Sequence, residues 1–212
     1  MTFAEVQAAL APLADAARAE GQSAYLRGQF PFLGVATPDR RRVVAPLLAR
    51  RSLDWPLVWE CWDAPEREYQ YVACDHLRRI KAFPAAHLGD LHTLVTTKSW
   101  WDTVDSLAKV AGSALPNPTA GAVMDKWMTD PSLWVRRVSI ICQLGKGTAT
   151  DTRRLTRAIE ANLESREFFI TKAIGWALRD YFRHDPEWVR AFVDGHDLAP
   201  LSRREALKHA DI

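Results

Sequence analysis

The sequence predicts an all-α chain of stacked helical hairpins, and three observations carry that prediction. Apolar residues recur at helical spacing almost throughout, and no segment of useful length alternates with period two between turn signals. A capping residue followed by proline also recurs, at Thr37-Pro38, Asp130-Pro131 and Asp185-Pro186, with Asp63-Ala64-Pro65 a near variant. Proline suits the first helical position, where its missing N–H is one that a helix start leaves unpaired anyway. These devices separate helices of about 10 to 17 residues.

Taken in order, the first helix is expected over about Phe3 to Arg18, with Phe3, Val6, Leu10 and Leu13 on one stripe and Gly21 ending the region. Ala24 to Gly34 reads as an aromatic-rich turn leading to Thr37, the N-cap of a helix toward Arg50. Asp54 caps a short helix through Trp59. Asp63-Ala64-Pro65-Glu66 then starts a longer one, to about Lys81, that buries Tyr69, Val72, Ala73, Leu77 and Ile80. After Phe83-Pro84 a helix spans about Ala86 to Val95. Ser99 is the expected N-cap of the next, which begins at Trp100 and reaches about Leu115; Asp102, three residues on, completes an acidic variant of the capping box. Pro116-Asn117-Pro118 breaks it, and a helix through Val123 and Trp127 follows. Asp130-Pro131 opens another that buries Trp134, Val138 and Ile141 and ends at Gly145-Lys146-Gly147. Asp151 or Thr150 caps its successor. Phe168 to Arg179 is almost continuously apolar, the mark of a central helix covered on most sides, from which Lys172 and Arg179 stand out. Asp185-Pro186 starts a helix through Trp188 and Phe192, and Ser202 with Glu205 forms a capping box for the last, Arg203 to His209.

Helix pairs of this length are what HEAT or armadillo arrays stack into a curved solenoid, whose concave face can cradle a long partner such as a duplex. Exact repetition is weak, so a compact irregular helical domain is the architectural alternative. At 212 residues with 48% hydrophobic content the chain can bury a sizeable core, and it is read as a single domain, 1–212. Its start, with Glu5 and Asp15 and no basic stretch before an apolar run, does not read as a signal peptide. No apolar stretch approaches about 18 residues, so no membrane partner is expected and the cytoplasm is the expected location.

Several chemistries find no support. The three cysteines, Cys61, Cys74 and Cys142, are too scattered for a disulfide framework or a metal knuckle and read as small core residues. His87 and His92 stand alone, without a zinc pattern. Gly145-Lys146-Gly147-Thr148 misses the phosphate-loop pattern, having Ile at 140 and Gly at 147. Most of the nine tryptophans, including Trp55, Trp59, Trp62, Trp127, Trp134 and Trp188, fall at core spacing. Net charge is only +2, yet Arg supplies most of the 28 cations and clusters at 40–42, 50–51, 78–79, 136–137, 153–154 and 203–204. On one face these runs would track a phosphate backbone; solvated faces written in Arg account for them equally.

One cluster is anomalous. With roughly 100° per residue, Trp100, Val104, Leu107 and Ala111 form a core stripe, while Trp101 and Asp105 stack one turn apart on an adjoining face. A carboxylate against an indole suits a cationic ligand, or a reaction in which positive charge develops. A solvated Asp beside a half-buried Trp would have the same spacing.

Wider stretches add to this. They are Tyr25 with Gln29-Phe30-Pro31-Phe32-Leu33-Gly34, Thr37-Pro38-Asp39-Arg40-Arg41, Glu68-Tyr69-Gln70-Tyr71, Lys98 through Asp105, Trp134-Val135-Arg136-Arg137, Phe168 through Arg179, and Leu201 through Ala206. In them the chain resembles the AlkD-type DNA alkylation repair glycosylases, a family with a HEAT-like repeat fold. The W-W-D-x-V-D and K-A-I-G-W-x-L-R strings together are specific, and the match covers most of the chain. The resemblance implies hydrolytic removal of positively charged alkylated purines, chiefly 3-methyladenine and 7-methylguanine types, from double-stranded DNA, without flipping the base into a pocket. It places the catalytic carboxylate on Asp105, the two indoles of the site on Trp101 and Trp176, and a backbone-contacting arginine on Arg137, with Tyr25 nearby. Lys172, Arg179, Arg40 and Arg41 complete the candidate DNA-binding set. A cationic purine leaves as a neutral base, so one carboxylate can suffice, without general acid, metal or cofactor. Asp102 is assigned to the cap. The expected protein is a monomeric base-excision enzyme; the alternative is a helical-repeat module that binds nucleic acid or protein without chemistry.

Overall fold

The computed structural model describes residues 2–49 and 52–208. The Arg50-Arg51 run and His209, the expected end of the last helix, lie outside the described residues. Among the described residues every regular element is helical, and there is no strand. The chain forms two compact units, 1–81 and 82–212.

The first unit holds α1 (Phe3–Leu10), α2 (Ala16–Tyr25), α3 (Thr37–Val44), α4 (Trp55–Asp63) and α5 (Arg67–Leu77). The single first helix expected from the sequence is two. Pro12 lies in a 3-10 turn after α1, and Asp15 restarts the chain by accepting from the Arg18 N–H at 2.9 Å. Proline has no N–H to give, and a cap three residues beyond it offers the backbone a fresh start. As a result α2 runs through Gly21 instead of ending there. Thr37 is likewise the first helical residue of α3, not its cap; Ala36 holds the cap position without a side-chain bond. Asp54 does cap α4, accepting from the Leu57 N–H at 3.2 Å, and α4 continues past Trp59 to bury Leu57, Val58, Cys61 and Trp62. The Phe30–Val35 loop is fixed by the fully buried Glu68 of α5, whose carboxylate accepts from the N–H groups of Leu33, Gly34 and Val35 at 2.9, 2.9 and 3.0 Å. Gly34 is required there. Its φ is +84°, and a Cβ would stand 1.9 Å from the Asp15 carbonyl oxygen.

The second unit contains α6 (Leu88–Thr96), α7 (Trp101–Ala114), α8 (Pro118–Trp127), α9 (Leu133–Ile141), α10 (Thr152–Glu160), α11 (Phe168–Phe182), α12 (Pro186–Gly195) and α13 (Pro200–Ala206). Here α7 packs on α9, α9 on α11 and α11 on α13, making one row, while α6, α8, α10 and α12 pack against members of that row from the other layer. This is the arrangement expected of stacked hairpins. Val104, Leu107, Val138, Ile141, Ile170, Ile174 and Leu178 fill the space between the layers. Asp151 and Asp185 cap α10 and α12 as the sequence predicts, and Asn117 caps α8.

Three further expected caps are absent, each because the polar side chain is used elsewhere. Ser99 donates its hydroxyl to the Val95 carbonyl at 2.7 Å, closing α6, so Trp100 becomes the N-cap residue of α7 with no side-chain bond. Asp130 accepts from the Ser132 N–H at 2.8 Å and meets His92 Nε2 at 2.9 Å, forming a turn ahead of α9. Ser202 lies inside α13 and donates to the Thr171 carbonyl at 2.8 Å, while Glu205 binds cations on α11. Among the described residues, no helix is long and apolar enough to cross a membrane.

Candidate active site

The row of α7, α9, α11 and α13 carries most of the residues singled out above. Trp101 and Asp105 lie one turn apart on α7, both half-buried. Arg137 of α9, its side chain only 4% exposed, grips the Asp105 carboxylate with both ends of its fork: Nε donates to Oδ1 at 2.7 Å and Nη2 to Oδ2 at 2.8 Å. Its Nη1 donates to the Phe169 carbonyl in the first turn of α11 at 2.6 Å. One guanidinium therefore joins three helices. Of its five N–H donors, two remain after these bonds.

Asp105 is a carboxylate under opposing influences. Burial pushes its carboxyl above the ordinary 3.8, while the hydrogen bonds and charge of Arg137 pull it down and Asp102 pushes it up again. Aromatic side chains pack beside the pair. The rings of Trp100 and Trp134 are 5.7 Å apart, each meets Phe169, at 5.3 and 4.9 Å, and the Arg137 guanidinium lies 5.9 Å from the Phe169 ring. Phe168, 5.3 Å from Phe169, remains 56% exposed at the start of α11.

Trp176 is half-buried on α11, between Lys172 and Arg179. Both cations pair with Glu205 of α13, Lys172 Nζ at 2.7 Å from Oε1 and Arg179 Nη1 at 2.5 Å from Oε2. In the first unit, Arg40 is buried. Its Nη2 donates to Asp75 at 3.0 Å, and its guanidinium lies 4.8 Å from the centre of the Tyr71 ring. Arg41 is open, its side chain 59% exposed and 4.0 Å from Asp75, and Tyr25 is 73% exposed at the end of α2. The arginine runs are thus not uniform. Within one run a buried arginine sits beside a solvated one, because adjacent helical residues point about 100° apart.

A family model for DNA alkylation repair enzymes matches residues 6–210. The chain belongs to this family. Among solved structures, a predicted DNA alkylation repair enzyme from Enterococcus faecalis superposes on this family member with a TM-score of 0.86 at 31% identity, covering 93% of this chain and 97% of that one. Among curated proteins, none matches the chain. For a DNA alkylation repair enzyme the row of helices offers a half-buried carboxylate, indoles and partly exposed cations within one unit. Among its described residues no group of three His, Cys, Asp or Glu side chains could hold a metal ion.

Sequence reasoning brought forward Asp105 and Arg137 but missed the second acceptor of Arg137. Phe169 acts through its backbone carbonyl, which no residue pattern advertises. Glu205 was read as a local cap, although a carboxylate near the cations of another helix was the better use of it. Asp75, which holds Arg40 and approaches Arg41, carried no signal of its own.

Proposed function

We propose that this DNA alkylation repair family member is an AlkD-type N-glycosylase. It hydrolyses the glycosidic bond of positively charged alkylated purines, 3-methyladenine and 7-methylguanine types, in duplex DNA without flipping the base, acting as a cytoplasmic monomer in base excision. The observation that supports this best is Asp105, a half-buried carboxylate held by the fork of Arg137 on the α7 face that carries Trp101. In the reaction the N–C1′ bond breaks and its electron pair passes to the purine, cancelling the base's charge. Positive charge moves to the sugar, and water then bonds to C1′ and loses a proton. Asp105 faces that developing charge. At about 4 Å and an effective dielectric of about 20, two unit charges interact by about 4 kcal/mol, on the order of a thousandfold in rate. Each Asp105 oxygen keeps a lone pair beyond its bond to Arg137, enough to orient the water. Trp101 and Trp176 offer indole faces to the cationic nucleotide. Arg137, through its remaining donors, and Lys172, Arg179, Arg40, Arg41 and Tyr25 form the DNA-contacting set, in which Arg41 and Tyr25 are the most open.

The rival reading is a non-catalytic DNA-binding module, favoured by one observation: the Asp105–Arg137 pair also satisfies itself internally as a three-helix staple. Release of free methylated base from an alkylated duplex separates the two. The glycosylase reading expects 7-methylguanine to appear in solution with time; DNA binding without release would establish the module instead.

A further inference from the structure

The short last helix carries a carboxylate whose position is more specific than packing requires. Glu205 is 8% exposed, and among the described residues its partners are Lys172 and Arg179. These two cations lie seven residues apart on α11 and therefore share a face, with Trp176 four residues beyond the first and three before the second. The approach of α13 to that face is close. A Cβ at Gly175 would stand 2.5 Å from Glu205 Cβ and 2.8 Å from the Ser202 carbonyl oxygen, and Ser202 also donates to the Thr171 carbonyl at 2.8 Å. A seven-residue helix has no stability of its own, since isolated helices shorter than about 12 residues are marginal. An apolar side chain at 205 would seal the same seam at lower desolvation cost, because a buried ion pair is seldom a net gain in stability. Meanwhile the Lys172 and Arg179 side chains stay 38% and 21% exposed, so both remain open to solvent while paired.

We propose that Glu205 is a positioning residue for DNA: it fixes Lys172 and Arg179 on either side of Trp176 as one preorganised phosphate cradle with a net charge of one. The proposal rests on the reading of these residues as the DNA-contacting set. Its physical content is entropic. Lys and Arg side chains free in solvent lose rotamer freedom when they seize a phosphate, and Glu205 has them ordered beforehand.

The sign of one substitution tests it. Glu205→Gln removes an acid from a face that binds a polyanion, so charge alone makes the variant bind duplex more tightly. Positioning requires the opposite, an affinity lower by about 3- to 10-fold. Affinity is read by fluorescence anisotropy on an undamaged duplex, independently of base release, with unfolding midpoints confirming the fold. Equal or tighter binding by folded Glu205→Gln protein overturns the proposal. If that variant does not fold, Glu205→Asp decides: the charge is kept but the carboxylate withdraws by one methylene, so weaker binding supports positioning and unchanged binding overturns it. In a Lys172→Met/Arg179→Met background the Glu205 substitution should no longer weaken binding, because only the charge effect is left and affinity stays equal or rises. A further loss there would make Glu205 merely structural and also overturn the proposal. Failure to release base would sink the glycosylase reading and leave this result standing.

Discussion

Asp105 and Glu205 are both carboxylates on the same row of helices, and each meets an arginine, but their environments drive them in opposite directions. Asp105 has one guanidinium, and burial outweighs it, so its carboxyl rises above the ordinary 3.8. Glu205 accepts from Lys172 and Arg179 together, and its carboxyl falls below the ordinary 4.5, with the Lys172 hydrogen bond the leading cause. A doubly paired carboxylate is settled by the protein's own cations. A half-buried one paired with Arg137, its carboxyl still raised, is left under-compensated, which is the condition in which a further positive charge, such as one appearing on a sugar, is most welcome. The contrast supports the proposed division, with chemistry at α7 and positioning at the seam of α11 and α13.

The largest effect that can break this contrast is at Asp105. Asp105→Asn should lower the rate of 7-methylguanine release by about two to three orders of magnitude. Stability should change by no more than about 1 kcal/mol in denaturant unfolding, because burial already favours the uncharged carboxyl at this position. A variant that keeps its rate would transfer the chemistry elsewhere, and a much larger loss of stability would show that the pair with Arg137, and not burial, governs Asp105.

A smaller effect compares the two arginines. Lysine cannot reproduce the fork on Asp105 or reach the Phe169 carbonyl with a second nitrogen, so Arg137→Lys should cost about 1–3 kcal/mol. At Arg179, 21% exposed and sharing Glu205 with Lys172, the same substitution should cost under about 1 kcal/mol. Equal unfolding midpoints for the two variants would erase the distinction.

Acid should separate the carboxylates by sign. The folded protein takes up a proton at Asp105 more readily than the unfolded chain does, so this group favours the fold as pH falls through its raised value. The anion needed for rate is lost in the same window. Glu205 behaves conversely: its contribution is present above 4.5 and disappears as pH falls through its lowered value. The acid limb of kcat/KM is accordingly expected above pH 3.8 and should be unmoved by Glu205→Gln, as a pH–rate profile of both proteins would reveal.

The smallest effects lie at the start of α7. Asp102, in the first turn, favours the helix dipole and adds to the field at Asp105. Asp102→Asn should cost about 0.5 kcal/mol and leave most of the rate. Since Ser99 closes α6 and does not cap α7, Ser99→Ala should cost no more than an ordinary hydrogen bond, about 1 kcal/mol. Loss of activity in the Asp102 variant beside an active Asp105 variant would invert the assignment.

What the sequence determined by itself was whatever depends on near neighbours. Helical periodicity placed the elements, and Asp54, Asp151 and Asp185 cap α4, α10 and α12 because each accepts from an N–H three residues ahead. The Trp101–Asp105 spacing on α7 was legible for the same reason. Tertiary structure alone decided how the other polar groups are used. Ser202 and Glu205 spell a capping box, yet Ser202 bonds Thr171 and Glu205 bonds Lys172 and Arg179. Arg40 and Arg41 are neighbours in one basic run, yet one is buried and the other open. Asp105 and Arg137, 32 residues apart, were named separately with no sign that they bind each other. A side chain's hydrogen-bonding capacity is written in its own residue, but its partner is chosen by packing, because a buried polar group must be satisfied by whatever the fold brings within about 3 Å.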